Sequence, residues 1–203
     1  MLLTVPRGAL LALALLAGCQ DRDAHPGGAP PAGPGTSYTP DSVRQVELGR
    51  FREGLDSVAE LQGGAPTREA LVRAFLDAVA ARDSATLASL RLSRAEFAWL
   101  YYPTNPQALP PYDLDPATYW LTHHAQDGKG LHNVLERLGG RPLEFVGERC
   151  EGEASRQGEN RVYGPCLVRL RTGHADTSEG RVFGLVIERR GRWKFVSYAN
   201  DLD

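Results

Sequence analysis

The chain has 203 residues, enough for one domain or at most two. Hydrophobic residues make up 42% and charged residues 24%, which excludes a wholly disordered or fibrous chain. Lys and Arg number 23 against 25 Asp and Glu, a net charge of -2, so electrostatics gives no reason to expect nucleic acid as a partner.

Arg7 is the only charge before Cys19, and an uninterrupted apolar run covers 9–17. That run is too short for a bilayer-spanning helix, which needs about 20 residues. A short positive region, an apolar core and small residues at its end read as a secretory signal peptide over 1–18. The end, Leu16-Ala17-Gly18-Cys19, resembles the lipobox of bacterial lipoproteins. The resemblance implies that Cys19 becomes the first mature residue and carries acyl chains such as palmitate. Two or more such chains hold a protein stably on a membrane. Gln20, where an aspartate is absent, implies a lipid anchor in the outer membrane facing the periplasm, if the cell has two membranes. Residues 19–40 are rich in Pro and Gly and form a tether that cannot bury enough surface to order itself. His25 lies in it without an assigned role.

Lipidation of Cys19 leaves Cys150 and Cys166 in an exported, oxidising compartment. A disulfide between them is the expected pairing; metal ligation by the pair alone is the alternative, although structural zinc takes four ligands.

An extra N-terminal helix is expected over 41–61, with Phe51, Leu55, Val58 and Leu61 at helical spacing. Gly63-Gly64-Ala65-Pro66 ends this segment, and Thr67 reads as the cap of a second helix with Leu71, Ala74, Phe75, Ala78 and Val79 on one face. Arg82-Asp83-Ser84 interrupts before a short helix over 85–90. Ser93-Arg94-Ala95-Glu96 is a capping box opening a helix to about Tyr102. Prolines 103, 106, 110 and 111 make the next stretch a loop. Asp115-Pro116 caps a helix to about Gln126, which Asp127-Gly128-Lys129-Gly130 breaks before one more helix ending at Gly139-Gly140. From Arg141 the period alternates, predicting strands over 143–150, 161–171, 181–189 and 192–199. Cys166, Val168 and Leu170 share one face of the second strand, Phe183, Leu185 and Ile187 one face of the third, and Trp193 and Phe195 one face of the fourth. Gly164-Pro165 marks a bulge or an edge. Short links imply an antiparallel sheet, and helices followed by strands give the α+β class. Pairing of the first two strands about Gly158 sets Cys150 opposite Cys166.

A helix with Ala81, Arg82, Asp83 and Leu87 at its turn, further helices, and a last hairpin reading Gly191 to Tyr198 as GRWKFVSY resemble the NTF2-like (SnoaL-like) superfamily over 67–203. The resemblance implies helices packed on a curved four-stranded antiparallel sheet as a cone, with a pocket against the concave face. The superfamily holds enzymes, binding proteins and interaction modules, so the fold does not choose the function.

The candidate residues surround the proline loop. Trp99, Tyr101, Tyr102, Tyr119 and Trp120, with Tyr112, suit a pocket lip, a binding surface, or a plug for the open end of the cone. His123 and His124, with His132, could hold zinc or copper, but adjacent helical positions point about 100° apart. One packed and one exposed histidine is the simpler reading, so no metal and no cofactor are expected. His123 and Asp127 are spaced i, i+4, as an acid–base couple or as solvated neighbours. Arg169, Arg171, Arg181, Arg189, Arg190 and Arg192 read as a solvated sheet face. Walker A, GxGxxG, HExxH and GxSxG patterns are absent from the sequence. The expected function is a membrane-anchored envelope lipoprotein with a non-catalytic domain that binds an envelope protein or a small apolar ligand. A structural part of an envelope assembly, or an isomerase- or dehydratase-like enzyme, is the alternative.

Overall fold

Gly54, at φ 73, turns the first helix off early. Helix α1 therefore spans Pro40–Arg52 instead of 41–61, and the chain after it is irregular. Of its apolar positions, Phe51 from the helix and Leu61 from the irregular segment are buried all the same, and Leu55 and Val58 are partly buried. The computed structural model describes residues 40–173 and 177–202; the signal peptide, Cys19 and almost all of the tether lie outside the described residues. Among the described residues, no helix is long and apolar enough to cross a membrane.

Thr67 caps α2 (Arg68–Ala81), its side chain accepting from the Ala70 N–H at 3.1 Å. The expected interruption forms: Arg82, at φ 55, ends α2, and Asp83 opens the next helix. Asp83 caps α3 (Ser84–Leu90), accepting from the Ala85 and Thr86 N–H groups. The capping box forms at Ser93: its hydroxyl accepts from the Glu96 N–H at 3.2 Å, and Glu96 accepts from the Ser93 N–H at 2.7 Å. Helix α4 (Arg94–Glu96) then widens into a π-helix, Phe97–Tyr101, closed by the Tyr102 N–H on the Phe97 carbonyl. Two 3-10 turns, Tyr102–Thr104 and Pro106–Ala108, order part of the proline loop.

Asp115 caps α5 with Pro116 in its first turn, as the sequence implies. The expected break at 127–130 does not occur. Helix α5 is continuous over Pro116–Arg137. A helical glycine costs about 1 kcal/mol relative to alanine, but Gly130 lets α5 press against the segment that follows the last strand. A Cβ there would collide with the Tyr198 carbonyl. The contact is fixed by hydrogen bonds: the Tyr198 N–H donates to Asp127 at 2.8 Å, and Asn200 donates to the Gly130 carbonyl at 2.7 Å.

Among the described residues seven strands replace the four expected: β1 (Leu143–Cys150), β2 (Ser155–Gln157), β3 (Asn160–Tyr163), β4 (Cys166–Thr172), β5 (Thr177–Gly180), β6 (Val186–Arg189) and β7 (Arg192–Phe195). They form two open antiparallel sheets, ordered β1-β4-β5 and β2-β3-β6-β7. The reason is a shared bend. Gly164-Pro165 divides the expected 161–171 strand, and 181–185 leave the ladder opposite it. Registers survive the bend almost unchanged. Cys150 pairs with Cys166 before it and Ser155 with Val162 after it, a slip of one residue. Cys150 and Cys166 are joined by a disulfide.

The four-stranded sheet is buried on both faces. Val186 and Phe195 enter one core under α2, beside Cys166, Val168 and Leu170 of the other sheet. There Phe75, Phe183, Phe195 and Tyr198 form an aromatic knot with ring centroids 4.6–5.9 Å apart. Val162, Ile187 and Val196 enter a second core under α1 and the π-helix. Phe183, Leu185 and Ile187 therefore do not share a face. Phe183 and Ile187 belong to different cores, and Leu185 is 37% exposed at the bend.

Within the second core lies an ion pair. Lys194, 3% exposed, meets the fully buried Glu96 at 2.9 Å and donates to the Gln62 carbonyl at 2.9 Å. Glu96 also accepts from the Gln62 N–H at 2.6 Å. With the Ser93 bond, the pair ties β7, the turn before α2 and the start of α4 together. Removing one partner of such a pair costs about 3–5 kcal/mol, because the other charge stays buried and uncompensated. Lys194→Met should therefore lower the unfolding free energy by about 3–5 kcal/mol in urea titration. Glu96→Gln combined with Lys194→Met, which keeps the capping box, should recover much of that loss. A loss under about 1 kcal/mol in the single variant would place the pair's role elsewhere.

Candidate functional site

Tyr119, His123 and Gln126 follow one another on a single face of α5 at helical spacing, and that face looks onto the bend of the sheet. The π-helix brings Tyr101 in from the other side. A π-turn in a helix is rare and recurs at functional sites. Between them is a cavity of about 290 Å³. Pro165, Leu185 and Val196 give it an apolar wall, and Arg181 and Ser197 stand with them.

The polar groups are held differently. Tyr101 is buried, and burial pushes its hydroxyl well above the ordinary tyrosine value. Burial also raises the Tyr119 hydroxyl, and the two interact with each other and with the Asn105 side chain. Asn105 is fixed from behind, donating to the Gln157 side chain at 3.2 Å and accepting from the Gln107 N–H at 2.8 Å. His123 lies against Phe97 and Tyr119 and stacks on Trp120. Its Nε2 is buried with no hydrogen-bond partner. Burial lowers its pKa below the usual histidine value. Asp127 opposes that shift, while Arg91 and His124 reinforce it. Arg181 is held by Asp201 at 3.0 Å through one terminal nitrogen, and its Nε is buried with no partner.

The candidate residues separate on this map. Tyr101, Tyr119 and His123 line the cavity. Tyr102 is buried in the second core, its hydroxyl donating to the Leu114 carbonyl at 2.8 Å and pushed up to about 12, chiefly by burial. Trp99 packs against the same core under Arg52, whose guanidinium carbon is 3.9 Å from the ring centroid. Trp120 packs there too, and the exposed His124 stacks on its outer side. The His123–Asp127 couple does not form. Asp127 instead binds Arg91 at 2.9 Å and the Tyr198 N–H, a structural use. Among the described residues no group of three His, Cys, Asp or Glu side chains is placed to hold a metal ion. Cys19 lies outside the described residues.

Gln126 and Arg181 were not singled out by sequence reasoning. Gln126 was legible as the third member of the 119–123–126 stripe, had α5 been read as continuous. Arg181 was assigned to a solvated arginine face, and nothing local distinguishes it from Arg171, which pairs with Glu144 on the surface. No protein-family model, curated protein or solved structure matches this chain.

The histidine supplies a pH signature. His123 resists protonation in the fold, whereas the unfolded chain takes up a proton near pH 6.5. As pH falls through 6.5 the unfolded state therefore binds more protons, and stability declines until the lowered folded value is reached. An NMR titration should place the His123 midpoint below 6.5. The urea midpoint should fall further between pH 7.5 and 5.5 in the parent than in His123→Gln. A midpoint at or above 6.5 would contradict the buried environment described.

Proposed function

We propose that this chain is an exported, lipid-anchored envelope protein whose NTF2-like domain binds a small ligand without catalysing a reaction. The anchor rests on Leu16-Ala17-Gly18-Cys19 and the apolar run before it. The Cys150–Cys166 disulfide agrees with an oxidising compartment outside the cytoplasm. The NTF2-like reading rests on helices followed by an antiparallel meander that bends, so that one side is concave. It treats the two open sheets as the two limbs of one curved sheet, with α1 added over the second core.

The observation that carries the ligand is the cavity beside the bend. It is at the lower end of ligand-pocket sizes, about 300–1,000 Å³. It pairs an apolar wall with a few converging polar groups, and His123 Nε2 and Arg181 Nε have no bond within the fold. Catalysis of the isomerase kind needs a carboxylate or similar base at the reacting centre. Among the described residues no carboxylate lines the cavity, and Asp127, one turn from His123, is engaged by Arg91 and Tyr198. That favours binding over turnover.

Two experiments test the reading. Cys19→Ser should move the protein from the membrane to the soluble fraction on cell fractionation; retention in the membrane would remove the lipid anchor. Native mass spectrometry of the gently purified mature protein should reveal a co-purified small molecule. Bare protein that takes up nothing from a host metabolite extract would turn the reading toward a structural part of an envelope assembly.

A further inference from the structure

Arg181 is the only charged residue among the described residues that line the cavity. It is also shared with the neighbouring cleft, about 300 Å³, which adds Lys129 and the amides of Asn133 and Asn200. No Asp or Glu among the described residues lines either space. In a chain with more acids than bases this is a local excess of positive charge, and it includes one of only two lysines, the other being sealed against Glu96. Among the described residues the acid bound to this pair of cations is Asp201, which holds one terminal nitrogen of Arg181 from a solvent-exposed position. Among the described residues two cations stand against one anion, which leaves positive charge for an anionic group.

The guanidinium is prepared for such a group. Asp201 fixes one terminal nitrogen at 3.0 Å, while Nε is buried and unbonded. A guanidinium engaged by one acid at a single nitrogen still suits a carboxylate, which accepts charge-assisted N–H bonds. Behind it the wall of Pro165, Leu185 and Val196 is apolar, and Leu185 is a large apolar side chain kept exposed at the bend. Ser197 and Gln126 add neutral hydrogen-bonding groups. At roughly 30 Å³ per heavy atom, the share of a water molecule in the liquid, the space takes about ten heavy atoms.

Resting on the ligand-binding reading above, we infer that the ligand is a small amphipathic monocarboxylate. Its acid group sits on Arg181 where the two clefts meet, and its apolar body lies against Pro165, Leu185 and Val196. Dianions are disfavoured, because Asp201 already occupies part of the positive charge. Neutral apolar molecules fit the wall but give Arg181 no charge-assisted bond.

Octanoate and 1-octanol test this, being alike in length and different in the acid group. Isothermal titration uses the full-length chain carrying Cys19→Ser, so that no detergent competes. Octanoate should bind about tenfold or more tightly than 1-octanol, the scale of a charge-assisted pair. Arg181→Gln should erase that preference and leave 1-octanol binding unchanged. Because the Arg181–Asp201 pair is largely exposed on the acid side, its loss costs little stability, and the variant is expected to fold. Asp201→Asn frees the guanidinium and should tighten octanoate several-fold; weakening would contradict the assignment. Equal binding of octanoate and 1-octanol, or a preference that survives Arg181→Gln, overturns the carboxylate while the ligand-binding reading stands. Binding of neither overturns both.

Discussion

At Gly164 and Pro165 the central strand of the meander stops pairing, turns and resumes in a second sheet. Its neighbours must turn at the same height, because antiparallel ladders are fixed residue by residue. They do so through 151–154 on one side and 181–185 on the other. Gly184 makes the second turn possible: its N–H still donates to the Ser197 carbonyl at 3.0 Å, and a Cβ there would strike the Ser197 hydroxyl. The register slips by one residue across the bend. The sheet therefore acquires an inside. Without the bend, Leu185, Val196 and Pro165 would be positions on a flat ladder, and α5 would have no hollow to span.

What faces that hollow is set by two polar systems that differ in kind. The Glu96–Lys194 pair is closed: each of its polar atoms has a partner, and it clamps the root of the π-helix to β7. Asp127 is likewise occupied, joining α5 to Tyr198 and Arg91. These bonds hold the two flanks of the cavity in place. The groups facing the hollow are instead incompletely bonded, notably His123 Nε2 and Arg181 Nε. Buried polar atoms without partners are disfavoured by about 1–3 kcal/mol each in a native fold. Two of the five such side-chain atoms among the described residues belong to residues that line this cavity, which points to it as a place where the fold serves something besides its own stability.

Local chemistry made much of this legible. Thr67, Ser93-Glu96 and Asp115-Pro116 announced three helix starts because caps act within one turn. The α+β order and the opposition of Cys150 to Cys166 followed from periodicity and from strand lengths about Gly158. Long-range packing made the rest illegible. Gly128 and Gly130 read as a break, because glycine weakens an isolated helix; the close approach of Tyr198 that keeps α5 intact is visible only in three dimensions. The bend looked like a bulge within one strand, since two sheets in nearly continuous register have the same pattern as one. At the cavity, the aromatic cluster around the proline loop named Tyr101, Tyr119 and His123, but it could not separate them from Tyr102 and Trp99, which close the second core. Arg181 differs from its surface neighbours only through where the bend puts it.

The central claim is that His123 belongs to the cavity and not to the fold's own bonding, and the unfolding free energy of His123→Phe in the mature protein tests it most directly. Phenylalanine keeps the ring contacts with Phe97, Tyr119 and Trp120 and removes the unbonded nitrogen. Urea titration at pH 7.5 should give a stability equal to that of the parent or higher, as expected when an unsatisfied buried polar atom is removed. A loss of about 2 kcal/mol or more would mean that His123 holds the structure together, and would contradict the account.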